Sequence, residues 1–175
     1  VPHVEITREV ARKFNLTYGD VFPEPEPLLT KFARLAGLDG NAKMSKSLNN
    51  TILLSDDPET VNAKMKKAVT DTQKVRRNDP GRPEVCLVYT YHQKFNPKET
   101  EEIAAGCRSG ELGCKDCKEK CVSNINTFIF PILEKRKYYE NNIDEVKNIL
   151  VDGEKKAKAE AKSTIEQVRE KMKLG

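Results

Sequence analysis

Lys43-Met44-Ser45-Lys46-Ser47 sets two lysines three positions apart with serines interleaved, on a stretch flanked by Gly40, Asn41, Asn49 and Asn50. Lysine ammonium groups are mobile point charges suited to phosphate oxygens, and serine hydroxyls and loop N–H groups add further donors. Such a loop suits a reaction in which negative charge builds on a departing pyrophosphate. Cationic donors already in place lower that barrier by electrostatics and positioning. By charge content alone, the same residues make an ordinary solvated Lys/Ser surface.

A second group able to do chemistry is the cysteines at 86, 107, 114, 117 and 121, four of the five falling within 15 residues. A C-x2-C pair with two further cysteines supplies tetrahedral thiolates to zinc or corner ligands to an iron–sulfur cluster. Ligation needs deprotonated sulfur, which Arg108, Lys115, Lys118 and Lys120 favour. Spacing also admits the set 107, 114, 117 and 121, and buried inert thiols are the plain alternative. A third candidate is the basic stretch 64–77, with Lys64, Lys66, Lys67, Lys74, Arg76 and Arg77 against one acid, Asp71. Its residues suit phosphate contacts that position a nucleic acid without reading it, or simply one polar helix face. Stacking candidates for splayed bases are Tyr89, Tyr91, His92 and Phe95, although core packing accounts for most of these.

The 175 residues must position these groups in one domain, or a domain with an appendage. With 37% hydrophobic, 33% charged and 6% aromatic residues, the chain suits a well-solvated helical core better than a β-sandwich. No run of 18 apolar residues occurs, which excludes a transmembrane helix. A net charge of +4 permits a nucleic-acid partner without requiring one. The odd cysteine count and the lack of a basic-then-apolar leader predict a reduced compartment. The sequence begins at Val1 within a helical pattern, as expected for a piece of a longer protein.

Pro2 with Val4, Val10, Ala11 and Phe14 predicts a helix over 2–15. Pro23, Pro25 and Pro27 forbid helix over 22–27. Leu28, Leu29, Phe32 and Leu35 predict a short buried element, and 37–51 a mobile loop. Asp57 and Pro58 open a helix to about 69, buried through Val61, Met65, Ala68 and Val69. A break at 78–83 precedes a helix over 84–94. Asn96, Pro97 and Glu99 form an N-terminal signature for the next one. Gly106, Gly110 and Gly113 punctuate a cysteine-bearing loop, and helices follow over 117–140 and 143–173, with a possible break at Gly153.

In its exact order, Lys43 to Ser47 resembles the K-M-S-K-S signature of class I aminoacyl-tRNA synthetases. The stretch from His3 to Asn15 resembles the helix after the G-x-D-Q motif of tryptophanyl-tRNA synthetases, and 68–71, Arg76-Arg77 and 79–81 are also similar to that family. The resemblance covers nearly the whole chain. It implies a mainly α chain: the end of a Rossmann-type nucleotide-binding domain (1–52), then a helical anticodon-binding domain (53–175). It further implies that Lys43 and Lys46 hold ATP phosphates and act in catalysis. Met44, Ser45 and Ser47 complete the ATP loop, with the Leu35 backbone near adenine. Implied partners are tryptophan, ATP with Mg2+ and tRNA(Trp), in a cytoplasmic homodimer. A subset of bacterial members carries a four-iron, four-sulfur cluster, and its ligand order assigns Cys86, Cys107, Cys114 and Cys117, with zinc as the alternative metal and Cys121 as the alternative fourth ligand. The H-I-G-H and G-x-D-Q motifs precede Val1 in that family, so the chain alone is expected to be inactive. A tyrosyl-tRNA synthetase and a non-catalytic metal-stabilised RNA-binding module are the rival readings.

Overall fold

The computed structural model describes residues 1–29, 34–40 and 43–174. They form six helices: α1 (Pro2–Tyr18), α2 (Pro58–Lys67), α3 (Leu87–Phe95), α4 (Thr100–Ser109), α5 (Cys114–Asn141) and α6 (Ile143–Lys171). Single 3-10 turns occupy Lys46–Leu48 and Pro83–Val85. Among the described residues the only β pairing is the antiparallel bridge of Ala36 with Lys43. The fold is mainly helical, and the described residues of 1–52, expected to end a Rossmann-type domain, form no strand.

The chain packs as two compact units, Val1–Lys31 with Tyr139–Gly175, and Phe32–Tyr138. In the first, α1 starts on Pro2 and ends on Gly19, whose φ of 100° suits glycine and whose N–H bonds the Asn15 carbonyl. The proline-rich return lies along this helix. Arg8 donates to the Pro25 carbonyl at 2.9 and 3.1 Å, and the Asn15 side chain accepts from Val21 and Phe22 N–H at 3.1 Å. Phe14 meets Phe22 edge-on with centroids 4.9 Å apart. Of the predicted apolar face only Ala11 is buried, while Val10 is exposed. Helix α6 buries no residue and runs straight through Gly153, so no break occurs there.

The second unit holds the core, in which Val61 and Met65 of α2, Val88 and Tyr91 of α3, and Cys121, Ile125 and Ile129 of α5 pack together. Asp57 caps α2 by accepting the Thr60 N–H at 2.7 Å. At the other end of α2 the Lys118 ammonium donates to the Lys66 and Ala68 carbonyls at 2.8 and 2.7 Å, a cation placed where the helix dipole is negative. Several sequence expectations change here. Leu28 and Leu29 are exposed rather than buried, Phe32 lies outside the described residues, and Val69 is exposed beyond the end of α2. α4 starts at Thr100, because the Asn96 amide turns to the Glu99 carboxylate at 2.9 Å instead of capping. The cysteine-bearing "loop" is mostly helix: Cys107 sits in α4, Cys114, Cys117 and Cys121 in α5, and the intervening link is short.

Candidate nucleotide loop and cysteine site

Residues 34–40 run out, and 43–50 return against them. The Met44 N–H donates to the Leu35 carbonyl at 3.0 Å, so that carbonyl already has a partner within the chain. The Met44 side chain packs on the hydrophobic core, together with Leu35, Ala36 and Ile52. Beyond it, Lys46, Ser47, Leu48 and Asn49 are exposed. The tip is a 3-10 turn closed by Asn49 in the left-handed conformation, φ 51°. Ser45 and Ser47 hydroxyls share a hydrogen bond of 2.9 Å. Lys43 is exposed as well, so both lysines present their ammonium groups to water. A cavity of about 500 Å3 lies beside the loop, lined by Met44, Lys46, Ile52, Ile132 and Arg136 among others.

Three residues behind this loop were not tied to it by the sequence. Asn50 is buried and bonds the Ser45 N–H through its side chain at 2.8 Å. Gly37 lies so close to it that a Cβ would fall 2.0 Å from Asn50 Nδ2. Tyr91 of α3 donates its hydroxyl to the Ala36 carbonyl at 2.6 Å, and burial pushes that phenol's pKa well above its ordinary value. Asparagine and glycine here read only as loop formers, and Tyr91 as a core aromatic or a stacking candidate.

The basic stretch 64–77 is divided in its employment. Lys64 pairs with the buried Asp56 at 2.6 Å, Lys74 is buried against the Asp79 carbonyl, and Arg77 pairs with Asp116 at 3.0 Å. Lys66, Lys67 and Arg76 are exposed. The lone acid Asp71 is 5% exposed and receives the Arg82 guanidinium at 2.6 and 3.1 Å. The Arg82 and Gln73 N–H groups complete its shell at 2.9 and 3.0 Å. The guanidinium, then these N–H groups, hold its carboxyl well below the usual carboxylate range. Tyr91 and His92 are buried, which removes them from the candidates for base stacking.

The cysteines gather at the junction of the 83–85 turn, α4 and α5. Burial pushes the Cys117 thiol up to about 12, with Cys86, Cys107 and Cys114 near enough to oppose its ionisation further. Cys107 is raised by burial and again by Cys86 and Cys114, against the pull of Lys74. Cys121 is also pushed up to about 12, by burial and then by Cys117 and Cys86, and it is fully buried in the core. Among the described residues, however, no three His, Cys, Asp or Glu side chains converge closely enough to hold a metal ion. The expected ligand cage is therefore not formed by Cys86, Cys107, Cys114 and Cys117 as they stand. Cys117 meets His92 Nε2 through its carbonyl at 3.1 Å and its Sγ at 3.4 Å. His92 is itself buried, its Nδ1 has no hydrogen-bond partner among the described residues, and burial lowers its pKa.

The pattern of the tRNA synthetases class I (W and Y) matches residues 1–130, and the chain belongs to that family. Within it, the similar curated proteins are tryptophan–tRNA ligases. That of Aquifex aeolicus is 43% identical over 99% of this chain and 44% of its own length, and that of Thermotoga maritima 40% over 99% and 53%. The tryptophanyl-tRNA synthetase of Campylobacter jejuni, solved with ADP and tryptophan, superposes with a TM-score of 0.78 at 29% identity, covering 98% of this chain and 54% of that one. The chain spans about half the length of the curated relatives it matches. Among the described residues no helix is long and apolar enough to cross a membrane.

Proposed function

We propose that this chain is the C-terminal portion of a tryptophan–tRNA ligase, carrying the ATP loop of the nucleotide-binding domain in 1–52 and a helical anticodon-binding domain in 53–175. In the whole enzyme a tryptophan carboxylate oxygen attacks the α-phosphorus of ATP and the bond to pyrophosphate breaks. The adenylate then passes its tryptophanyl group to tRNA(Trp). Lys43 and Lys46 hold the phosphates as charge moves onto the departing pyrophosphate, and their field stabilises the transition state more than the ground state. Ser45 and Ser47 supply hydroxyl donors. Met44 and the Leu35 backbone border the adenine side, and Mg2+ arrives with ATP. The observation that carries this reading is the pair of exposed lysines on an anchored loop, within a chain matched end to end by tryptophan–tRNA ligases.

The remaining expectations belong to the same proposal: a homodimer, a cytoplasmic setting, and tRNA phosphates met by Lys66, Lys67 and Arg76. Cys86, Cys107, Cys114 and Cys117 are the residues that would hold a four-iron, four-sulfur cluster, or zinc. Four neighbouring thiols are the donor type such a group takes, although as they stand no three of them converge closely enough to hold it. Their task is to tie the start of α3 to α4 and α5; the metal group would supply a structural cross-link there. The decisive experiment is exchange of labelled pyrophosphate into ATP by the full-length protein, with tryptophan and with tyrosine. Tryptophan-dependent exchange is expected. Exchange with tyrosine alone would transfer the reading to the tyrosyl enzyme, and none with either to a binding module.

A further inference from the structure

Asn50 is a surface-loop residue by sequence, yet it is only 4% exposed. Both ends of its amide are spent on the nucleotide loop. Oδ1 accepts the Ser45 N–H at 2.8 Å, while Nδ2 donates to the Asp39 carboxylate at 3.1 Å, with the Lys43 carbonyl further out at 3.5 Å. Its backbone carbonyl accepts the Leu38 N–H at 2.9 Å. One residue thus joins the outgoing and returning arms of the loop. An exposed asparagine would satisfy the same groups with water at no packing cost.

Gly37 belongs to the same device. A side chain at position 37 would occupy the space of the Asn50 amide, at 2.0 Å from Nδ2. Asp39 explains why position 50 carries an amide rather than an acid, since a carboxylate there would face another carboxylate. What is held and what is left free also divide sharply. The Ser45 N–H and the Met44 side chain are fixed, whereas Lys46 to Asn49 are exposed.

We propose that Asn50 is a positioning residue for amino-acid activation: its amide locks the 43–45 base of the loop, so that the tip bearing Lys46 meets the ATP phosphates from a fixed footing. This rests on the function proposed above. It bears on rate because a donor displaced by about 1 Å from developing charge costs up to about 100-fold.

The test uses the full-length protein with Asn50→Ala, the isosteric Asn50→Asp, and Gly37→Ala, which reaches the amide from the opposite side. Two readouts are taken. Tryptophan-dependent pyrophosphate exchange is measured per active site, with sites counted by the adenylate burst, and trypsin cleavage after Lys43 and after Lys46 is mapped on the folded protein. In all three variants kcat per site is expected to fall about 10- to 100-fold with KM for tryptophan unchanged. Cleavage after Lys43, slow in the parent relative to Lys46, is expected to rise towards it. A merely structural role would lower the number of active sites and the melting temperature while leaving kcat per site and the cleavage pattern as in the parent, and that result overturns the proposal. If Asn50→Ala does not fold, the isosteric variant decides. A parent without tryptophan-dependent exchange would sink the function, and the cleavage pattern would still decide whether Asn50 locks the loop.

Discussion

The Tyr91 hydroxyl donates to the Ala36 carbonyl at 2.6 Å, tying the middle of α3 to the residue that pairs with Lys43. The lysine-bearing loop is therefore held from behind by the helical core as well as by its own arms. Tyr91→Phe keeps the ring, which is 1% exposed, and removes only this bond. The expected loss is about 1 kcal/mol, read from the urea midpoint at unchanged slope. No loss would mean that the Ala36 carbonyl finds another donor.

Lys46 is exposed and no ion pair to it is seen among the described residues, so Lys46→Ala is expected to leave stability within about 0.5 kcal/mol. In the full-length protein the same change is expected to slow amino-acid activation by roughly 100-fold or more, about 3 kcal/mol of transition-state stabilisation. Single-turnover formation of the adenylate measures it. A rate equal to the parent's would return the loop to ordinary surface.

Asp71 gives a pH dependence of definite sign. Its folded-state pKa is depressed, chiefly by the Arg82 guanidinium and then by N–H groups, so its ionised form is favoured by folding. That contribution is complete above the unfolded value of about 4 and is lost as pH falls from there through the folded value. Asp71→Asn is expected to lower the melting temperature by several degrees at neutral pH and to flatten the acid limb of the stability curve. Arg82→Met removes the partner of a buried carboxylate and is expected to cost at least as much. An acid limb unchanged in Asp71→Asn would assign acid lability to other carboxylates.

Replacement of different cysteines is expected to have different effects. Full-length protein purified without oxygen is expected to be brown, with absorption lost in Cys86→Ala and kept in Cys121→Ala. Cys121 interacts with Cys117 and Cys86 but lies wholly inside the core, where its replacement creates a cavity and lowers stability by about 1–2 kcal/mol. Zinc at one equivalent in a colourless protein would replace the cluster by the simpler metal. A folded, metal-free protein would leave the four thiols as packing groups.

How far the sequence could be read depends on how local each signal is. Asp57 and Pro58 start α2 where expected, because a cap needs only the next three N–H groups. The end of α5 at Asn141 and the start of α6 at Ile143 fall where Asn141 and Asn142 interrupt the helical pattern, although Asn142 makes no side-chain cap. The start of α4 was not legible: Asn96 satisfies the same capping pattern, but its amide goes to Glu99 and its carbonyl to the Thr100 hydroxyl at 3.0 Å, which delays the helix. The glycine-punctuated cysteine stretch is helical despite Gly106, which packs so closely on Leu112 that a Cβ would approach it to 3.2 Å. Glycine's cost in a helix, about 1 kcal/mol, is small beside such tertiary contacts.

By itself the sequence determined the chemistry on offer: two lysines and two serines in an order suited to phosphate, four thiols at ligand spacing, and helices flanking both. These depend on residue type and short spacing, which folding does not alter. Only the tertiary structure decided that Asn50 and Gly37 interlock behind the loop, that Tyr91 reaches Ala36, and that Cys86 and Cys121 are both buried in the core. Each is a contact between groups distant in the chain or fitted to within an ångström. Its energy exists only once the helices have packed and water has left.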